Sequence, residues 1–311
     1  MSFVEKALSR LKQQEKTPPA MRPIGTLAHE PVDAVAPPHA AKPRAKPAGS
    51  TRPPGTRPMV RFDRARFREA GFLATDEYEH IKAEEYRRIK RPLLANAFGI
   101  GATRVDDGNL VLVSSAVAGE GKTHTCINLA LSLATEKDRT VLLIDGDVPK
   151  PHISRLFGVA DEPGLLDALA DEATSLHELL IRTDIENLSI LPAGHWNNHA
   201  TEMLASERML KLCHELATRY PDRIIIFDSP PLLAASEAQA ISAAVGQVVL
   251  VIAEGLTPCE SVRSALALLD DRKPVNAVLN KSRRSTSSGY YGSYYRGYGD
   301  AREESSNGAQ I

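Results

Sequence analysis

Short unbroken apolar runs alternate through the middle of the chain with stretches in which apolar residues recur every three or four positions. The runs Leu110 to Val113, Thr140 to Ile144, Leu188 to Leu191, Arg223 to Phe227, Val248 to Ala253 and Val275 to Leu279 predict strands buried on both faces. The helical spacing predicts helices through Ile127, Leu129, Ala130, Leu133 and Ala134, and over Leu165 to Leu169, Leu176 to Ile181, Glu202 to Tyr220, Glu237 to Ala244 and Cys259 to Leu269. Alternation of this kind predicts an α/β fold: a mostly parallel sheet, helices on both faces, right-handed crossovers. Upstream, Thr75 or Asp76 caps a helix running through Tyr78, Ile81, Ile89, Leu93 and Leu94, with Pro92 bending or ending its regular part.

The pattern fades at both ends. Ser2 to Lys16 carries apolar residues at Phe3, Val4, Ala7, Leu8 and Leu11, with Ser2 and Glu5 spaced as a capping box, so residues 1–16 predict a short amphipathic helix. Too small to fold alone, it either docks on a partner or lies frayed. Residues 17–60 are Pro, Ala and basic residues with few large apolar side chains, a disordered tether. The α/β domain then occupies 61–282, and residues 283–311 form a flexible tail rich in Gly, Ser and Tyr.

Composition narrows the class. A net charge of −1 over 311 residues gives no bulk electrostatic reason to expect a nucleic-acid partner. Cys126, Cys213 and Cys259 lack metal-ligand spacing and read as small buried hydrophobes of a reducing cytoplasm. No apolar run has the ~20 residues of a membrane-spanning helix and there is no signal-peptide core, so a soluble chain is expected, its membrane contact made through a partner.

Candidate chemistry gathers at the strand ends. The first long strand empties into Ala116 to Thr123, AVAGEGKT, and a helix follows. Glycines at 119 and 121 let backbone N–H groups turn inward around an oxyanion. Such a phosphate-binding loop makes Ala118, Gly119, Glu120, Gly121, Lys122, Thr123 and His124 the nucleotide-binding residues, with Lys122 on the β- and γ-phosphates of ATP and Thr123 on Mg²⁺. Ala116 stands at the position usually held by the loop's first glycine. Two further strands end in Asp145-Gly146-Asp147 and in Asp228, delivering acids to the sheet edge where ligands bind in open α/β folds. Trp196, His195 and His199 sit in a loop without ligand spacing and read as structural or surface residues.

Two more features stand apart from the loop. Glu84, Arg87 and Lys90 fall at three-residue spacing on a helix, a charged face suited to a subunit contact or to solvent. In the tail, Tyr290, Tyr291, Tyr294, Tyr295 and Tyr298 are five of the chain's eight tyrosines. A flexible segment can bring successive hydroxyls to an active site, and each phosphate added carries nearly two negative charges.

Together, the phosphate loop, the IDGD and IIIFDSPP strand ends and the tyrosine cluster resemble the bacterial tyrosine kinases of exopolysaccharide and capsule synthesis, over roughly Glu77 to Tyr298. The resemblance implies a P-loop NTPase of the deviant Walker, Min- and Par-like architecture. In it Ala116 to Thr123 is Walker A, Leu142 to Asp147 Walker A-prime and Ile224 to Asp228 Walker B. It implies catalytic roles for Lys122, Asp145 and Asp147, with either aspartate as the base, and Mg²⁺ held by Thr123, Asp145 and Asp228. Glu84, Arg87 and Lys90 resemble the family's motif for ring-forming homo-oligomers, lysine replacing the usual final arginine. Pro149 and Lys150 stand where the family commonly has two arginines, and HATEMLAS from His199 resembles the family's loop and helix before Walker B. IKRPLLANAF, Ile89 to Phe98, resembles the exosortase-linked (XrtA-associated) autokinases.

The implied activity is ATP-dependent autophosphorylation of the tail tyrosines between subunits, regulating exopolysaccharide polymerisation and export. The implied partners are a membrane-embedded polysaccharide co-polymerase as activator and a protein-tyrosine phosphatase, with the chain peripheral to the inner membrane. Two rival readings share the sheet. A Min- or Par-type partitioning ATPase would carry a dimer-bridging lysine where Val117 stands, and a non-catalytic nucleotide-binding scaffold would not need Lys122, Asp145, Asp147 and Asp228 intact.

Overall fold

The structure, a computed structural model, describes residues 59–72, 80–99 and 104–282. In chain order its elements are β1 (Met59–Val60), α1 (Arg64–Glu69), α2 (His80–Phe98), β2 (Leu110–Ser115), α3 (Lys122–Ala134), β3 (Thr140–Asp145), α4 (His152–Leu156), α5 (Leu165–Ala170) and α6 (Leu176–Leu179). β4 (Ile181–Thr183), β5 (Leu188–Leu191), α7 (Ala200–Leu204), α8 (Glu207–Arg219), β6 (Arg223–Asp228), α9 (Ser236–Ala244), β7 (Gln247–Ala253), α10 (Cys259–Leu266) and β8 (Val275–Asn280) follow. The amphipathic segment 1–16, most of the tether and the tyrosine tail lie outside the described residues.

One sheet of eight strands runs in the order β1-β4-β5-β3-β6-β2-β7-β8. Every pairing is parallel except β4 with β5, where Ile181 faces Ile190 and Arg182 faces Ser189. The expected mostly parallel sheet is therefore present. Its unbroken apolar strands follow from burial on both faces, because successive side chains point opposite ways. Val111, Val113, Val141, Leu143, Ile224 and Ile226 pack on one side with Leu93 of α2 and Ile127, Leu129 and Leu133 of α3. Leu110, Leu112, Leu142, Ile144, Ile225 and Phe227 pack on the other with residues of α5, α8 and α9.

Four predicted elements change on folding. Helix α2 runs through Pro92 to Phe98 without ending there, with Pro92 on its exposed side. The helix expected over 176–181 stops at Leu179, because buried Ile181 and Thr183 flank exposed Arg182 in the period-two pattern of a strand that pairs with β5. The helix expected over 202–220 is two, restarted where the Ser206 hydroxyl accepts the Met209 N–H as an N-cap. Helix α10 closes at Leu266, three residues short of the expected Leu269, in a turn at Ala267. Short elements β1, α1 and α4 have too few residues to show a period. All three cysteines are buried. Among the described residues, no helix is long and apolar enough to cross a membrane.

Candidate active site at the C-terminal edge of the sheet

The carboxyl ends of β2, β3 and β6, three adjacent strands, supply the site. β2 leads into the loop 116–121, where Gly119 (φ 82°) and Gly121 (φ 93°) take the left-handed conformation that other residues resist. A Cβ on Gly121 would also overlap the Asn280 side chain, so this position accepts only glycine. α3 then starts at Lys122, and its free N–H groups and positive dipole end face the loop's interior.

Glu120 shapes the loop from inside. Its side chain is buried, and one carboxylate oxygen accepts the Val117 N–H at 2.7 Å while the other accepts the Thr257 hydroxyl and the Ala253 N–H (3.4 Å). Its carbonyl accepts Asn280 Nδ2 at 2.8 Å, and the neighbouring Gly119 carbonyl accepts Lys281 Nζ at 2.6 Å. The loop is thus braced on β7 and β8, and Asn280 acts on the loop backbone.

The predicted acids converge. Register pairs Asp145 with Asp228 across β3 and β6. Thr123 Oγ1 donates to Asp228 Oδ2 at 2.7 Å, and Lys122 Nζ lies 3.1 Å from Asp147 Oδ2. Asp145 Oδ2 accepts both the N–H and the hydroxyl of Ser154, each at 2.7 Å. Asp145 and Asp228 are fully buried, yet the Oδ1 atom of each has no hydrogen-bond partner. Burial pushes the Asp228 carboxyl up to about 8, with Lys122 offsetting part of the rise, and pushes Asp145 up to about 6 against the hydrogen bonds from Ser154. Buried carboxyls with an unsatisfied oxygen, beside a glycine cradle, a lysine and a helix N-terminus, form a donor set that fits Mg²⁺ with a polyphosphate.

Other predicted residues fall elsewhere. The His124 ring turns from the cradle, with Nε2 3.1 Å from the Gly71 carbonyl and its plane stacked on Phe72 at 5.1 Å. Glu84 and Arg87 pair at 2.9 Å on the exposed side of α2. Lys90 is not on that face. It is 5% exposed, donates to the Ser132 carbonyl (2.6 Å) and the Thr135 hydroxyl (3.1 Å), and pairs with Glu136 at 2.7 Å. Three-residue steps drift by about 60° each around a helix, so the third member has turned towards α3. The three residues therefore do not share one face: only Glu84 and Arg87 stand on the exposed side of α2, and Lys90 is buried against α3. Ser154 and Thr257 carried no signal in the sequence, since their roles depend on partners brought close by folding.

The AAA domain family profile matches residues 109–270. The chain is 31% identical over 238 residues to the tyrosine-protein kinase YwqD of Bacillus subtilis, covering 75% of this chain and 96% of that protein. It is 27% identical to the tyrosine-protein kinase wzc of Salmonella typhi, covering 74% of this chain and 31% of that longer protein. Its structure superposes on the kinase domain of Escherichia coli tyrosine kinase ETK with a TM-score of 0.59 and 27% identity, over 70% of this chain and 83% of that one. The chain belongs to the bacterial tyrosine kinases: a P-loop, nucleotide-binding α/β enzyme that transfers phosphate to protein tyrosine.

Proposed function

We propose that the chain is an ATP- and Mg²⁺-dependent autokinase that phosphorylates Tyr290, Tyr291, Tyr294, Tyr295 and Tyr298 of a neighbouring copy. The observation that carries this reading is the meeting of Lys122, Thr123, Asp145, Asp147 and Asp228 at one edge, two of the acids buried with a free oxygen. The loop N–H groups and Lys122 hold the β- and γ-phosphates of ATP, with Ala118 to His124 contributing backbone. Thr123, Asp145 and Asp228 would hold Mg²⁺, which supplies charge neutralisation on the phosphates when bound.

The remaining work is positioning and one proton. Lys122 turns from Asp147 to the phosphate, leaving Asp147 to orient the acceptor and take its hydroxyl proton, while Asp145 stays fixed by Ser154. The tyrosyl oxygen bonds to the γ-phosphorus, the bond from that phosphorus to the bridging oxygen breaks, and ADP leaves. Tail phosphorylation in trans, with loosening of a ring-like homo-oligomer by charge repulsion, would regulate exopolysaccharide polymerisation and export. A membrane-embedded co-polymerase activates the chain at the inner membrane, a protein-tyrosine phosphatase resets it, and the exosortase-linked group is its setting.

Intact mass and phosphopeptide mapping test this, using protein incubated with Mg-ATP and, in parallel, a fragment of the membrane activator. Phosphate on Tyr290 to Tyr298 in the parent, absent from Lys122→Met and from the five-fold tyrosine-to-phenylalanine variant, is expected. ATP hydrolysis with no phosphotyrosine, even with the activator, would overturn the autokinase reading.

A further inference from the structure

Glycines let the phosphate loop take its shape but do not hold it there. Gly119 (φ 82°) and Gly121 (φ 93°) flank two peptide groups, 119–120 and 120–121, that can turn with little steric resistance. In a trans peptide the carbonyl and the following N–H point opposite ways, so whatever fixes the Gly119 and Glu120 carbonyls aims the Glu120 and Gly121 N–H groups. Two consecutive residues at the end of β8 do this. Asn280 Nδ2 donates to the Glu120 carbonyl at 2.8 Å, and Lys281 Nζ donates to the Gly119 carbonyl at 2.6 Å. β8 lies two strands from β2 on one side, while β6 and β3, which carry Asp228 and Asp145, lie on the other. Carbonyls drawn towards β8 therefore turn the two N–H groups towards the acids, across the space a polyphosphate would fill.

The end of β8 is fixed in a way that favours this hold. Asn280 is in register with Ala253, and its carbonyl accepts the Glu254 N–H at 2.9 Å. Its side chain packs so closely on Gly121 that a Cβ there would overlap it. Lys281 has φ 58°. Among the described residues, the other non-glycine positions with positive φ are Asp107 and Asn187, whose short polar side chains tolerate that region, whereas a lysine is strained in it. Lys281 is exposed, so core packing does not account for the conformation. Strain of this kind persists where its surroundings fix it, and the contact made from this bend is the one to Gly119.

We propose that Asn280 and Lys281 are positioning residues for phosphoryl transfer: by holding two loop carbonyls on the β8 side, they aim the Glu120 and Gly121 N–H groups at the phosphates of ATP before it binds. This rests on the loop being the phosphate site. The test uses the full chain and measures dissociation constants for MgATP and for AMP, which lacks the β- and γ-phosphates, by displacement of a fluorescent ATP analogue. Hydrogen exchange at residues 119–121 is followed in the nucleotide-free protein. Asn280→Ala is expected to weaken MgATP about tenfold and Lys281→Met about threefold, the smaller loss because Lys281 is exposed. AMP affinity should change little in either variant, exchange of the loop should quicken in both, and Lys281→Arg should recover most of the loss. Lys281→Gly relaxes the backbone, so it should weaken MgATP as Lys281→Met does while the nucleotide-free protein melts no lower than the parent. Equal losses for AMP and MgATP would assign the two residues to the base. Weaker MgATP with unchanged loop exchange would assign Lys281 to the phosphates directly, and a lower melting temperature for Lys281→Gly would make it a strut of β8. Each of these results overturns the proposal. A parent that binds MgATP no more tightly than AMP overturns the reading of the loop as the phosphate site instead.

Discussion

Two buried charged clusters lie at opposite ends of α3, and they differ in one respect that decides function. At its C-terminal end, Lys90 is buried but satisfied: it meets the Ser132 carbonyl and the Thr135 hydroxyl and pairs with Glu136. A cation on the free carbonyls of a helix end is a stabilising cap. At the N-terminal end, Asp145 and Asp228 are buried just as deeply, each with an oxygen that meets nothing, and their carboxyls are pushed up to about 6 and about 8. Burial of charge alone marks neither a site nor a strut. The free carboxyl oxygens point to a ligand because they sit beside the glycine loop and Lys122, whereas Arg223 Nη1 and Asn276 Nδ2, also without a hydrogen-bond partner, lie near the N-terminal ends of their strands.

The largest effect expected from this contrast is at Asp228. Asp228→Asn should lower tyrosine phosphorylation at least about a hundredfold, by removing a charge that the transferring phosphate and its cation require. The same change should stabilise the metal-free, nucleotide-free protein. A carboxyl whose folded value is raised to about 8 leaves the native state holding more protons than the unfolded chain, so stability falls as pH climbs from about 4 towards 8. Thermal unfolding in chelator should show that decline in the parent and a flatter, higher profile in Asp228→Asn. A lower melting temperature for the variant at neutral pH would contradict the strained-acid account.

Lys90 should behave in the opposite way. Lys90→Met keeps the stem but strips the cap, and should cost about 2 kcal/mol in chemical denaturation, less than a fully enclosed pair because Glu136 is partly exposed and can turn to water. The KM for ATP should not move. A shift in that KM with unchanged stability would make this end of α3 part of the site.

Glu120 lies between the two cases, a buried carboxylate inside the site whose oxygens are both engaged. Glu120→Ala is expected to raise the KM for ATP about tenfold, as expected for one or two lost hydrogen bonds to a charged group. Glu120→Gln should fall between parent and alanine, since the amide oxygen can still accept the Val117 N–H but its nitrogen meets a Thr257 hydroxyl that already accepts from Ala253. Equal KM values for glutamine and alanine would assign the loop's shape to its glycines.

The strands and the phosphate loop were legible because their signals are local. Apolar runs report burial on both faces, Gly119 and Gly121 report a backbone only glycine takes readily, and Asp145, Asp147 and Asp228 follow strands whose parallel arrangement forces their ends to one edge. Trp196 was read, with His195 and His199, as structural or surface, and it is exposed. The hydrogen bonds of its loop, His195 with Asp167 and Ala193 with Ser154, could not be read from spacing.

By itself, the sequence determined the α/β alternation, the phosphate loop, the acids at the strand ends and the tyrosine-rich tail, all set by contiguous residues and by periods of two and 3.6. Tertiary structure decided which polar groups meet. Lys90 reaches α3 across 42 positions, Glu120 finds Thr257 across 137, and Thr123 finds Asp228 across 105. Such pairings depend on strand order and helix rotation, which no local pattern encodes. The same packing left one oxygen on each of Asp145 and Asp228 without a partner, beside the glycine loop and Lys122, and that combination supports the proposed active site.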